Sequence, residues 1–174
     1  ADYTSRKSNN TLDAQRADLA TFADYLCDAT GGRDCPTADQ LQTDPEAWRG
    51  MTHGLVAAFV HWVLARGYSI ASVNRKLSTV RVYAKLAAQA KVIDSTESTL
   101  IRGVSGYGGT EGKRADEKRT AAGTATRNGH KKAQHVPLTV DQVKLLKAQP
   151  DTPQGRRDAV IMALLLEHGL RVGE

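Results

Sequence analysis

Aromatic residues make up only 5% of the 174-residue chain, and cysteine occurs just twice, at Cys27 and Cys35. With so few rings, the core must be built largely from Ala, Leu and Val. Two cysteines are too few for a disulfide framework, so free or buried reduced thiols are expected. His53, His61, His130 and His135 show no ligand spacing, and His and Cys together are too scattered for a zinc cage. The apolar run over residues 160–166 falls far short of the roughly 18 residues that a membrane-spanning helix needs. No basic, apolar, small-residue segment opens the chain, so it reads as neither secreted by signal nor membrane-inserted, with a cytoplasmic place expected. Alternating strand patterns and internal repeats are also missing, which leaves an all-α expectation.

What the chain has is basic charge in one place. Its formal charge is +5, from 24 Lys and Arg against 19 Asp and Glu. Residues 1–105 contribute a net +1 and residues 137–174 are balanced. The excess lies in residues 106–136, where Lys113, Arg114, Lys118, Arg119, Arg127, Lys131 and Lys132 face only Glu111, Asp116 and Glu117. This stretch is rich in glycine and poor in large apolar residues, so it is predicted to be a flexible basic linker, placed to pass a polyanion. Three parts follow: a helical domain over 1–105, the linker, and a second domain over 137–174.

Helical periodicity runs through the first part. Leu12, Leu19, Phe22 and Leu26 follow a polar start at Asn9-Asn10-Thr11 and end at Gly31-Gly32. Asp44 followed by Pro45 marks the start of a second helix of about twenty residues, carrying Leu55, Val56, Phe59, Val60, Val63 and Leu64 to a stop at Gly67. Trp48 and Trp62 are its expected core anchors. The third helix is the clearest, with Ile70, Val73, Leu77, Val80, Ala84 and Ala87 on one stripe. A short fourth begins near Asp94, with Glu97 completing a capping box, and ends at Gly103. In the second part, Thr139 and Gln142 form another capping box, and a helix after Pro153 runs through residues 159–165 to Gly169. That last helix is apolar nearly all round and needs neighbours on several sides, so the second domain is expected to be incomplete as given.

The most specific string is Leu164-Leu165-Leu166-Glu167-His168-Gly169-Leu170-Arg171-Val172-Gly173-Glu174. It resembles the first catalytic box of the tyrosine recombinases, the phage integrases and Xer-like enzymes, in which an apolar helix ends in Gly-Leu-Arg with Glu following shortly after. Upstream, the Pro-Leu-Thr start at Pro137 resembles the opening of that family's catalytic domain. Residues 8–26 and 69–84 are similar to two helices of its core-binding domain. The resemblance implies a four-helix SAM-like core-binding domain followed by the first helices of an α-rich mixed catalytic domain. It also implies site-specific recombination or integration on duplex DNA with inverted repeats, by a homotetramer at the nucleoid, without metal or cofactor. Arg171 would be the catalytic arginine that cradles the scissile phosphate, its planar guanidinium suited to fork onto two phosphate oxygens. In the family a tyrosine then displaces the 5' oxygen to leave a 3'-phosphotyrosine.

His168-Gly169-Leu170-Arg171 also fits the family's second box, His-x-x-Arg, but its place soon after the linker argues for the first. His168 is therefore given no catalytic role, and Glu174 is read as a local hydrogen-bond acceptor. Tyr3, Tyr25, Tyr68, Tyr83 and Tyr107 all precede the first box and none matches the nucleophile's place. This sequence alone is therefore expected to be inactive, with the family's remaining catalytic residues lying beyond residue 174.

For the DNA contacts, the third helix sets Asn74, Arg75, Ser78, Arg81 and Lys85 opposite its apolar stripe, a face suited to the major groove. The resemblance adds Thr79, and Asn9, Asn10 and Thr11 at the first helix. Asp13, Asp18 and Asp24 keep the rest of that helix off phosphates. Lys113, Arg114, Lys131 and Lys132 of the linker are expected to add nonspecific affinity. Two rivals stand beside this reading: a helix-turn-helix regulator, formed by the second and third helices and without catalysis, and a helical module that binds only protein.

Overall fold

The computed structural model describes residues 2–33, 35–124 and 137–167, and the chain divides into two units, residues 1–129 and 130–174. All regular structure among the described residues is helical. The first unit holds α1 (Asp2–Ser5), α2 (Asn9–Thr30), α3 (Ala38–Thr43), a 3-10 turn (Pro45–Trp48), α4 (His53–Ala65), α5 (Ile70–Gln89), α6 (Ser95–Gly103) and α7 (Gly109–Ala121).

Short polar side chains set where these helices begin. Ser8 accepts from the Thr11 N–H at the start of α2, Thr52 from Leu55 at α4, and Ser69 from Ser72 at α5, each taking up an amide with no partner inside the helix. At the end of α2, Gly31 adopts φ 65°, and the Gly32 N–H reaches the Cys27 carbonyl at 2.9 Å. That turn folds the chain back and brings Cys27 against Cys35. The two form a disulfide, with Cα atoms 5.0 Å apart. The expectation of free or buried reduced thiols is corrected here: two cysteines suffice for a local bridge once the glycine turn returns the chain to its own helix end.

The single long second helix is also corrected. Asp44 caps only the 3-10 turn, accepting from the Glu46 N–H at 2.9 Å, and Gly50 at φ 76° redirects the chain before Thr52 starts α4. Before it lies α3, unforeseen because it has six residues and buries only Leu41, too little for a period to show. Thr37 and Gln40 form its capping box.

Asp94 caps α6 by accepting from the Thr96 N–H at 2.8 Å, but Glu97 does not complete the expected box. Instead its carboxylate accepts from the His53 backbone N–H and lies 2.7 Å from His53 Nδ1, tying α6 to the first turn of α4. The His53 backbone N–H, and then its side chain, hold the Glu97 carboxyl below its ordinary value. The Thr96 N–H does the same for Asp94. A depressed folded value means stability that is present above the ordinary carboxylate range, near about pH 4, and lost as pH falls through the folded value. Glu97→Gln is therefore expected to lose less Tm than the parent between about pH 6 and pH 3. Equal acid sensitivity in the two proteins would remove this contact from the acid response.

The core lies where α2, α4 and α5 meet. Leu19, Phe22 and Leu26 of α2 pack with Val56, Phe59 and Val63 of α4 and with Val73, Leu77, Val80 and Ala84 of α5. Leu41, Trp48 and Ile101 close it from α3, the 3-10 turn and α6. Burying each Val, Leu, Ile or Phe of this set contributes about 1.5–3 kcal/mol. The few aromatics are concentrated here: Phe22 stacks on Trp48 at 5.6 Å and meets Phe59 edge-on at 4.9 Å.

Part of the stretch expected to be a flexible linker, Gly109–Ala121, is helix. In α7, Gly112 lies against Ile70, where a Cβ would meet the Ile70 Cγ2 at 3.0 Å. Arg119 is buried, donating from Nη1 to the Tyr68 carbonyl at 2.8 Å and the Leu64 carbonyl at 3.3 Å, and pairing with Asp116. The guanidinium takes up carbonyls at and just after the C-terminal end of α4, where a cation is favoured. Composition does not reveal this anchor, because the stem of an arginine can fill apolar space that no large hydrophobic residue claims.

In the second unit the Thr139–Gln142 capping box forms as expected and opens α8 (Val140–Lys147), which is followed by α9 (Pro153–Glu167). Lys147 pairs with Glu167. Val140, Leu145 and Val160 are 71%, 74% and 60% exposed. Gly169, expected to end α9, lies outside the described residues. Among the described residues no helix is long and apolar enough to cross a membrane.

Candidate nucleic-acid interface

The face of α5 turned away from the core carries Arg75, Ser78 and Lys85, all exposed. Three residues expected beside them are placed otherwise. Thr79 is buried, and its hydroxyl donates to Asp18 Oδ2 at 3.1 Å, so it cannot enter a groove. Asn74 is half-buried and clamps Tyr107, donating to its carbonyl and accepting from its N–H, both at 2.9 Å. Arg81 is half-buried beside an open recess of about 400 Å³ that Asn74, Leu77, Ser105, Gly106, Tyr107 and Gly108 also line. Its buried Nε has no partner among the described residues. The chain between α6 and α7 is thus held against α5 at Asn74.

Beneath Arg75 is a buried polar cluster that periodicity does not reveal. Asp18, 1% exposed, accepts from Arg75 Nη2 at 2.9 Å, from Lys76 Nζ at 3.2 Å and from Thr79. Lys76, 5% exposed, also donates to Thr21 Oγ1 at 2.7 Å and sits 5.0 Å from the centre of the Tyr68 ring. Asp18, expected to repel phosphates from α2, is inside, and only Asp13 and Asp24 of that set are exposed. The sequence does carry a signal: Asp18 lies next to Leu19 and four residues before Phe22, and Lys76 next to Leu77 and four before Val80. An acid in one apolar stripe and a base in the other point to a buried pair.

Asn9, Asn10 and Thr11 are exposed on the first turn of α2, with the Thr11 hydroxyl 2.9 Å from Ser8 Oγ at the cap. Lys113 and Arg114 are exposed on α7. Lys131, Lys132, Arg171, His168 and Glu174 lie outside the described residues.

Burial pushes the phenols of Tyr25, Tyr83 and Tyr107 above their ordinary value. Tyr83 also donates to Gln15 Oε1 at 3.0 Å, and Tyr3 accepts from Gln15 Nε2 at 2.8 Å. Tyr25, Tyr83 and Tyr107 are packing tyrosines whose burial disfavours the phenolate.

Residues 37–91, from just before α3 to just after α5, match the phage integrase N-terminal SAM-like domain. That model describes the core-binding domain of tyrosine recombinases, and the all-α build of the matched segment fits it. No curated protein and no solved structure matches the chain.

Proposed function

We propose that the chain is the DNA-binding part of a tyrosine recombinase, with the start of its catalytic domain over residues 137–174. The domain binds duplex DNA at an inverted-repeat site, and Arg171 cradles the scissile phosphate while strands are cut and rejoined through a 3'-phosphotyrosine. A tetramer spanning two sites completes the reaction. One observation carries the reading: within a phage-integrase SAM-like domain, α5 presents Arg75, Ser78 and Lys85 outward while its other side forms the core. Phosphate contacts from Lys and Arg supply affinity, and an arginine over a base edge supplies preference. The exposed Lys113 and Arg114, with Lys131 and Lys132, add the sequence-independent share.

The helix-turn-helix alternative gains one point, since α4 has 13 residues rather than the expected twenty or so. Against it stand the match to the integrase family and a second helical unit that a simple regulator does not need.

The test is binding measured across a salt series. Replacing Lys113, Arg114, Lys131 and Lys132 together by Ala is expected to reduce the slope of log K against log salt by up to about 3–4, at roughly 0.9 for each phosphate that is no longer neutralised. An unchanged slope would take these four out of the interface. With a nicked suicide duplex this chain is expected to bind but form no covalent adduct on a denaturing gel. A recovered adduct would overturn the reading of its tyrosines.

A further inference from the structure

The cluster under α5 holds two cations to one carboxylate. Asp18 is buried, and Lys76, whose side chain is 6% exposed, lies beside it and balances its charge. Arg75 adds a second positive charge with its side chain 60% exposed. A pair with so much exposure contributes little to stability, so the internal balance does not require Arg75. What the contact does is geometric. Asp18 Oδ1 ties one guanidinium nitrogen, Nη2, while most of the side chain stays accessible and the cluster keeps a net charge of +1.

From this geometry we infer that Asp18, although buried in the core, is a positioning residue for sequence readout, holding Arg75 in one orientation for a base edge. The inference rests on the DNA-binding reading above. An untethered arginine spreads over many rotamers and must be ordered at each encounter. A tethered one is ordered in advance and offers its remaining N–H groups to a purine edge at a fixed place. Asp18 reaches the DNA only through Arg75 and touches no base. Thr79 and Lys76, bonded to the same carboxylate, fix its orientation from the α5 side, and α2 carries it from the other. The contact therefore couples the register of α2 on α5 to the place where one side chain meets the duplex.

The experiment uses the full chain and a randomised pool of 30-base-pair duplexes, selected at near-physiological salt and sequenced. Arg75→Ala is expected to abolish preference at a small set of positions, where the parent discriminates by about tenfold or more. Asp18→Asn is expected to cut preference at those same positions to under about threefold while leaving the salt slope at the parent's value. Asp18→Asn/Lys76→Gln removes the orphaned charge as well and keeps the test alive if the single variant does not fold. In the Arg75→Ala background, Asp18→Asn should change the preference no further. A folded Asp18→Asn/Lys76→Gln protein that keeps the parent's preference at the Arg75 positions overturns the inference alone. So does an Arg75→Ala protein whose preference is intact. Failure of the parent to bind any duplex in the pool overturns the DNA-binding reading, and the inference with it.

Discussion

Trp48→Ala is expected to lower the unfolding free energy by about 3–5 kcal/mol. The side chain is 1% exposed, stacks on Phe22 at 5.6 Å and donates from Nε1 to the Leu41 carbonyl at 2.9 Å. Truncation removes its buried area and leaves a cavity beside Phe22. It also strands the Leu41 carbonyl, a loss worth about 1–3 kcal/mol if water cannot enter. Domains of this size are stable by only about 5–15 kcal/mol, so the variant should unfold at much lower urea with its m-value unchanged. Trp62 provides the contrast. It is half-buried, its Nε1 donates to Asp28 Oδ2 at 3.2 Å, and Arg66 lies 4.0 Å from the centre of its ring. Trp62→Ala should cost about 1–2 kcal/mol, as expected where part of the ring already meets solvent. A Trp48→Ala midpoint close to that of the parent would mean that the 3-10 turn does not seal the core in solution.

The two tryptophans show where the sequence is legible and where it is not. Apolar spacing assigns both to one long helix, and both do pack. Yet Trp48 belongs to a separate turn, because a positive φ at Gly50 leaves no sign in apolar spacing. The long helices α2 and α5 are readable because each repeats its apolar stripe over many turns and starts at a Ser cap. The helix α3, with one buried residue, has no stripe to read. The α7 helix escapes because what docks it is an arginine bonded to two carbonyls around the α4–α5 turn, a contact between residues more than fifty positions apart. The disulfide depends on a turn in space rather than on cysteine count.

The site is legible to the same uneven degree. An outward face on α5 follows from periodicity, and Arg75, Ser78 and Lys85 are indeed exposed. Periodicity cannot separate the middle of that face from its margins, where Asn74 and Arg81 are half-buried, and Thr79, added by the family resemblance, goes astray as well. Thr79 points into the Asp18 cluster, and Asn74 is taken up by the Tyr107 backbone. Both are short polar side chains that serve equally well as internal hydrogen-bond partners or as DNA contacts. Only the neighbouring chain decides which.

Asp18→Ala is the second large loss to expect, about 3–5 kcal/mol, and for a different reason from Trp48→Ala. Little volume is removed. Instead Lys76 Nζ is left buried with Thr21 and the Tyr68 ring but no anion, and the Thr79 hydroxyl loses its acceptor. The cost is that of an uncompensated charge, so it should largely disappear when the charge goes too. Asp18→Leu/Lys76→Met is expected to lie within about 1–2 kcal/mol of the parent, since replacing a buried ion pair by apolar residues of similar size is often neutral or better. Urea unfolding of the parent, the single variant and the double variant decides this. A single variant as mild as a surface substitution would place water in the cluster and release Arg75 from its tether. A double variant that recovers stability would show instead that the ion pair is dispensable for folding, leaving the orientation of Arg75 as the use to which a buried carboxylate on α2 is put.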